Sequence, residues 1–325
     1  MKKEKVINIL SILRDAIKAE QNAFMDYING ANKIDIPELK GILLYLAEEE
    51  RKHKIILIQE YNTMKKRIGK IKTNEIRFKI PKNYPLKRLQ TISEVDLSGI
   101  SMPTAIIGGD YFDTFLIKDE EQGIDRLGII FYDAMGHGLP ATYIKSITRE
   151  LFQKRMERFY KKKDINTISP SHIVTEINKL ISKECQKKDA FVTLFYCIID
   201  PAKKELIYTS AGHEPPIYIM QNGKIIEETS ITQLLLGFDE NFIYKENKTN
   251  INPEDVFVLF SDGIIEAKDS EKNMFGREKI INTVLKNRKK SSSMILKKTI
   301  NYLKEHTGKK FINDEISILV AKINL

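Results

Sequence analysis

Leu127-Gly128-Ile129-Ile130-Phe131-Tyr132-Asp133-Ala134-Met135-Gly136-His137-Gly138 is an apolar run that ends in an aspartate and then breaks into glycines. A short run rich in branched and aromatic side chains, bounded by turn formers, predicts a buried strand with a carboxylate at its end. The same pattern recurs outward along the chain. Gly108-Gly109-Asp110-Tyr111-Phe112-Asp113 lies upstream, and Ser261-Asp262-Gly263 and Asn313-Asp314 lie downstream. Glycine beside an acid lets backbone and carboxylate approach one point closely. Carboxylates that converge repel one another unless cations sit between them. Oxygen-only ligands suit hard ions such as Mg²⁺ or Mn²⁺. The pattern therefore predicts a carboxylate-held metal centre assembled from distant strands.

Around these sites the chain reads as alternating strands and amphipathic helices. Strands are expected at Leu89–Val95, Tyr111–Ile117, Leu127–Tyr132, Phe191–Ile199, Glu205–Ala211, Ile217–Gln221, Val256–Ser261 and Glu315–Ile323. Helices are expected at Leu139–Tyr160, Ser169–Gln186, Arg277–Asn287 and Ser292–His306. Several strands follow one another directly, with the helices grouped between them. That order favours an α+β layered sandwich over a doubly wound sheet. There is no Gly-x-Gly-x-x-Gly and no Walker lysine motif, so nucleotide binding has no sequence support.

The first seventy residues differ. Ile9, Leu13, Ala16, Glu20, Phe24 and Tyr27 fall at steps of three and four over about Glu4–Asn29, and Asn29-Gly30 is a stop signal. Asp35 is a candidate N-cap with Pro37 in the first turn of a second helix running to at least Met64. Its stripe is Leu39, Leu43, Leu46, Glu50, His53, Leu57 and Tyr61. Glu20, Glu50 and His53 interrupt apolar stripes. A carboxylate in such a stripe needs a metal, a base or a hydrogen-bond network. Glu-x-x-His puts carboxylate and imidazole on one helical face, the ligand pattern of di-iron bundles. From about Thr63 to Pro85 the chain is rich in Lys and Arg and carries Gly69, Pro81 and Pro85, which reads as a helix extension followed by an extended connection.

At 325 residues, two domains are the default. No apolar run reaches the roughly 18 residues of a membrane span, and the N-terminus does not read as a signal peptide. Cys185 and Cys197 are the only cysteines and form no Cys-x-x-Cys, so neither a thiolate zinc site nor a disulfide framework is expected, and a reducing cytoplasm is. The net charge of +9 is spread over solvated lysine stretches such as Lys161-Lys162-Lys163, without a nucleic-acid-binding signature.

Two family resemblances follow from these motifs. Glu20 with Glu50-Arg51-Lys52-His53 resembles a rubrerythrin or ferritin-like half-bundle, similar to the two-helix encapsulated ferritins, over roughly residues 5–65. One copy supplies one Glu and one Glu-x-x-His, whereas a complete di-iron site takes two of each. The resemblance therefore implies a homodimer through the N-terminal helices, with iron held by Glu20, Glu50 and His53 of both copies. A metal-free helical dimerisation module is the other reading of the same residues.

The second resemblance covers roughly residues 85–325. The four acidic motifs quoted above, together with Ala211-Gly212-His213-Glu214-Pro215-Pro216, occur in the order of the PPM-type metal-dependent Ser/Thr protein phosphatases, in their bacterial sporulation-phosphatase (SpoIIE) branch. The resemblance implies an α-β-β-α sandwich with two Mn²⁺ or Mg²⁺ ions at one edge. Asp133 would bridge them, and the carbonyl of Ala134 would add a ligand. Asp262 and Asp314 would complete one ion, and Asp110 would hold the second, with Asp113 as a supporting or turn residue. His137 would either protonate the leaving oxygen or shape its turn, and His213 would be structural. The expected division is residues 1–68 as a helical sensor or dimerisation hairpin, 69–86 as linker and 87–325 as phosphatase. The implied function is dephosphorylation of a phosphoserine or phosphothreonine protein, such as an anti-sigma-factor antagonist, under control of the hairpin. The competing expectation is an iron-oxidising protein whose second domain only binds.

Overall fold

The computed structural model describes residues 3–34, 37–68, 89–102, 109–119, 124–135, 139–162, 168–226, 233–308 and 315–325. The chain clusters into two compact units, an N-terminal helical one and a larger one that holds all the strands. Asp35, the linker at 69–86, His137 and Asp314 lie outside the described residues.

The first unit is a helical hairpin of α1 (Lys3–Ala31) and α2 (Pro37–Ile68). Its seam is Leu10, Ile17, Ile58 and Tyr61, with Leu13 and Leu57 packed on it. The buried row on α1 is thus displaced by one position from the expected Ile9 and Ala16. Apolar residues stand in both rows, so periodicity alone does not choose between them. Leu39, expected in the second stripe, is 46% exposed.

In the second unit, among the described residues, every pair of named strands is antiparallel. One sheet has the order β1-β10-β9-β6-β7, made of β1 (Val95–Met102), β10 (Ile316–Ile323), β9 (Val256–Phe260), β6 (Ile217–Ile219) and β7 (Ile225–Ile226). The other has the order β2-β3-β4-β5-β8, made of β2 (Asp110–Asp119), β3 (Ile124–Ala134), β4 (Val192–Asp200), β5 (Glu205–Ala211) and β8 (Asn247–Asn250). The sheets face each other across Phe112, Phe131, Phe195, Phe257 and Leu319. Phe112 stacks on Phe131 at 5.6 Å, and Phe195 meets Phe257 at 5.8 Å. Each such ring buried from water contributes on the order of 2 kcal/mol, and pairing geometry adds to it.

The outer faces are covered by helices. α3 (Leu139–Lys162) and α4 (Pro170–Lys188) bury Ile144, Phe152, Ile173 and Ile177 against Ile130, Tyr132 and Tyr196. α5 (Asp262–Glu266), α6 (Arg277–Asn287) and α7 (Ser292–Thr307) bury Ile264, Ile280 and Leu296 against Val258 and Ile318. The unit is therefore the α-β-β-α sandwich expected from the sequence.

Several elements differ from expectation, and the short strands β7 and β8 are additions to the expected set. Leu89–Val95 is not a strand; the ladder begins at Val95. Gln90 instead lies along the edge of β2, where its carbonyl accepts from Thr114 Oγ1 at 2.7 Å and its Oε1 accepts from Leu116 N at 3.2 Å. The residues after Phe260 leave the strand at once for the single turn of α5, a helix too short to show a period.

Candidate functional site

The two facing sheets bring strand ends together at one edge. Asp110 opens β2 and Asp133 is the last residue but one of β3, and the antiparallel register sets them directly opposite each other. Opposed residues share a face, with Cβ atoms about 5 Å apart, and like charges there repel. Asp110 is 6% exposed, and its Oδ2 has no hydrogen-bond partner. Burial raises its pKa well above the usual carboxylate range. Glu315 and then Asp133 push it the same way, while the hydroxyls of Ser261 and Ser317 draw it back. Asp113 lies three residues along the strand from Asp110, so it faces the helices rather than Asp133. There Tyr111 Oη donates to it at 2.6 Å.

Gly109 has a steric role. A Cβ at this position would overlap Asp133 Oδ1 and stand 2.7 Å from the Ala134 carbonyl oxygen. The Ala134 amide already donates to the Gly109 carbonyl at 3.2 Å. A carboxylate and a carbonyl thus point at a space that only glycine leaves open. The opposite sheet supplies the other wall. Glu315 Oε2 accepts from Asp110 N at 3.0 Å, and its Oε1 accepts from Ser101 Oγ at 3.3 Å. Ser261 binds across to Ser317, its N donating to the Ser317 carbonyl at 3.0 Å and its Oγ accepting from Ser317 N at 3.0 Å. Asp262 follows Ser261 as the exposed first residue of α5. A buried, unpartnered carboxylate oxygen opposite a second carboxylate fits a site for hard cations.

The hairpin holds a separate cluster. One ligand atom each from Glu20, Glu50 and His53 lie within 4.8 Å of one another. His53 Nδ1 is 3.3 Å from Glu50 Oε2 and 4.0 Å from Glu20 Oε2. The Glu20 carboxyl is held above its ordinary range, first by a hydrogen bond with Glu50 and then by burial, with His53 acting against both. Two carboxylates and an imidazole gathered around one point mark a place where a cation can sit between them. The side chains of Glu20 and Glu50 are 25% and 20% exposed and that of His53 is 54% exposed, so the cluster opens at the surface of a single hairpin.

Residues 124–324, more than half of the chain, match the family described as Stage II sporulation protein E (SpoIIE). The chain belongs to the SpoIIE family. Residues 11–104 match the rubrerythrin family, a stretch that takes in most of the hairpin and runs on through β1. The phosphoserine phosphatase RsbU of Bacillus subtilis (strain 168) is 28% identical over 213 residues, covering 65% of this chain and 58% of that protein. The chain thus spans little more than half the length of this curated relative. The SiaA-PP2C domain of Pseudomonas aeruginosa superposes with a TM-score of 0.58 at 15% identity, covering 70% of this chain and 86% of that one. The catalytic domain of the serine/threonine protein phosphatase PstP, solved with two manganese ions, superposes with a TM-score of 0.50 at 11% identity, covering 71% of this chain and 99% of that one.

In this SpoIIE-family chain the Gly212-His213-Glu214-Pro215-Pro216 turn serves the packing between the sheets. His213 is 4% exposed, its Nδ1 is 3.1 Å from Thr193 Oγ1, and its ring lies 5.1 Å from Phe131. Arg277 Nη1 and Nη2 donate to the carbonyls of Pro215 and Pro216 at 2.6 and 3.1 Å. Burial pushes the imidazole pKa down to about 4. The unfolded chain, with an ordinary value near 6.5, takes up a proton before the folded one does. Stability is therefore full above about pH 6.5 and falls as pH drops toward 4. We expect a loss of about 2 kcal/mol between pH 7 and pH 5 from this residue. Urea midpoints across that range should show wild type losing this increment relative to His213→Phe; parallel curves would reject it.

Sequence reasoning missed Glu315, Ser261 and Ser317 as members of the Asp110 environment. Glu315 is 8% exposed, and its place as an acid at the head of the largely apolar run Ile316–Ile323 was the available signal.

Proposed function

We propose that the chain is a metal-dependent protein serine/threonine phosphatase whose output is set by a metal-binding helical hairpin. The observation that carries the phosphatase reading is the pair Asp110 and Asp133, opposed across two strands, with Gly109 leaving space at the Asp133 carboxylate and the Ala134 carbonyl. In this reading two divalent cations, Mn²⁺ or Mg²⁺, would be held by Asp133, the Ala134 carbonyl, Asp110, Asp262 and Asp314, and the Asp110–Asp133 pair with the open space at Gly109 supports it. The PstP complex with two manganese ions supports that number. When bound, such cations would lower the pKa of a coordinated water toward neutrality and offset the charge that gathers on phosphoryl oxygens. The protein's own part is positional. Glu315 fixes the Asp110 backbone, the Ser261–Ser317 bonds fix the strand end that carries Asp262, and Gly109 keeps the centre open. The proposed substrate is a phosphoserine or phosphothreonine on a regulatory protein such as an anti-sigma-factor antagonist, a class supported by the likeness to RsbU.

In this proposal residues 1–68 sense or dimerise, 69–86 connect and 87–325 catalyse. Glu20, Glu50 and His53 fit half of a di-iron site, and a homodimer of hairpins would complete it. Ile12, Met25, Leu39 and Ile42 remain exposed on the hairpin at 67%, 43%, 46% and 40%, which supports a partner helix pair. The buried free thiols Cys185 and Cys197 agree with a cytoplasmic setting, and no helix among the described residues is long and apolar enough to cross a membrane.

Iron loading tests the hairpin. Wild type should bind about one more iron per chain than Glu50→Ala or His53→Ala, measured by metal analysis after Fe²⁺ loading. Equal iron content in wild type and variants, with an intact dimer, would reduce the hairpin to a metal-free dimeriser.

A further inference from the structure

Met135, Phe191 and Phe238 are linked by a backbone bond and a ring contact next to the strand end that carries Asp133. Met135 comes two residues after Asp133 and is 44% exposed. Its amide donates to the Phe191 carbonyl at 2.8 Å, because the β3–β4 register pairs Ala134 with Val192 and continues one step past the ladder. The Phe191 ring lies 5.9 Å from that of Phe238, which is 58% exposed on the chain between β7 and β8. That segment is anchored to β4, with Leu236 and Val192 exchanging two backbone bonds at 2.9 and 3.2 Å. Gln186 at the end of α4 holds the Phe238 carbonyl at 3.4 Å. An aromatic ring on a tethered backbone, more than half exposed, is a preformed contact with little ordering entropy left to lose. Grouped exposed aromatic and methionine side chains mark recognition surfaces more often than chance exposure does.

We propose that Met135, Phe191 and Phe238 form an apolar shelf at the rim of the Asp110–Asp133 centre that takes an apolar side chain next to the phosphorylated residue of a protein substrate. The inference rests on the phosphatase reading and deepens it. Continuity selects the occupant. The shelf starts within two residues of Asp133, so a phosphorylated residue at the centre places its chain neighbours within reach of it; successive residues of an extended peptide are about 3.3 Å apart. A second copy of this chain has no such constraint to place it there. The shelf favours phosphopeptides with apolar neighbours over those with polar ones. A single apolar side chain in such a contact discriminates by about tenfold.

The test compares two phosphoserine peptides of equal length, one with leucines and one with serines flanking the phosphoserine, using the full chain and Mn²⁺. Wild type should favour the leucine peptide about tenfold in kcat/KM. Phe238→Ser, an exposed substitution, should bring the two peptides to within about twofold by slowing the leucine peptide. A wild type indifferent to the flanks, or a Phe238→Ser that keeps the preference, overturns the shelf. So does a change in the molar mass of Phe238→Ser without a change in preference, which would assign the patch to contact between copies. Cleavage of an aryl phosphate with neither peptide touched also overturns it. Failure to hydrolyse any phosphate ester strikes the phosphatase reading itself.

Discussion

Asp133→Asn is expected to lower Mn²⁺-dependent phosphate release by about a thousandfold while leaving the fold intact. The residue stands near the end of β3 opposite Asp110, and the raised proton affinity of Asp110 owes part of its size to Asp133 after burial and Glu315. In the metal-free protein the two carboxylates oppose each other, so replacing one by a neutral amide relieves repulsion. The metal-free variant should therefore melt at or slightly above the wild-type temperature, by an amount worth less than about 1 kcal/mol. Added Mn²⁺ should raise the wild-type melting temperature and leave that of the variant nearly unchanged, as binding to the folded state requires. Turnover within tenfold of wild type would remove Asp133 from the chemistry.

Gly109→Ala should cost about a hundredfold in the same assay, the penalty for displacing a catalytic group by about an ångström. The added Cβ would meet Asp133 Oδ1 and would lie 2.7 Å from the Ala134 carbonyl oxygen. The second of these is backbone and part of a paired strand, so it cannot turn aside as a long side chain would. The carboxylate has to move instead. The loss should appear mainly as weaker metal activation, with the Mn²⁺ concentration for half-maximal rate rising and the rate partly restored at high Mn²⁺. A variant with wild-type metal dependence would show that the Asp133–Ala134 corner holds no cation.

The sandwich was largely legible because its strands are apolar runs punctuated by glycine and acids, a local signal that survives without tertiary knowledge. The run at 127–132 ending in Asp133 is the clearest case. Leu89–Val95 was misread because Gln90 meets the β2 edge through its side chain and a single carbonyl, bonds that leave the same apolar spacing as a ladder. The placement of Asp110 rather than Asp113 opposite Asp133 depends on register, which a sequence does not print; one residue of slip would exchange the faces. Glu315 was hidden for a related reason, since it meets the Asp110 backbone only when the two sheets pack face to face. In the hairpin, Glu20, Glu50 and His53 were found because polar residues interrupting an apolar helical stripe stand out at short range. The row beneath them was misjudged by one position because Ile9 and Leu10, and Ala16 and Ile17, are all apolar.

The most direct test is the initial rate of inorganic phosphate release from a phosphoserine peptide by the full chain, titrated with Mn²⁺ before and after chelation, in air with and without Fe²⁺ loading. The account predicts a rate that saturates with Mn²⁺, vanishes on chelation, returns when Mn²⁺ is restored and shifts with the iron state of the hairpin. Hydrolysis that survives chelation, or rapid iron oxidation with no phosphate released at any Mn²⁺ concentration, would contradict it.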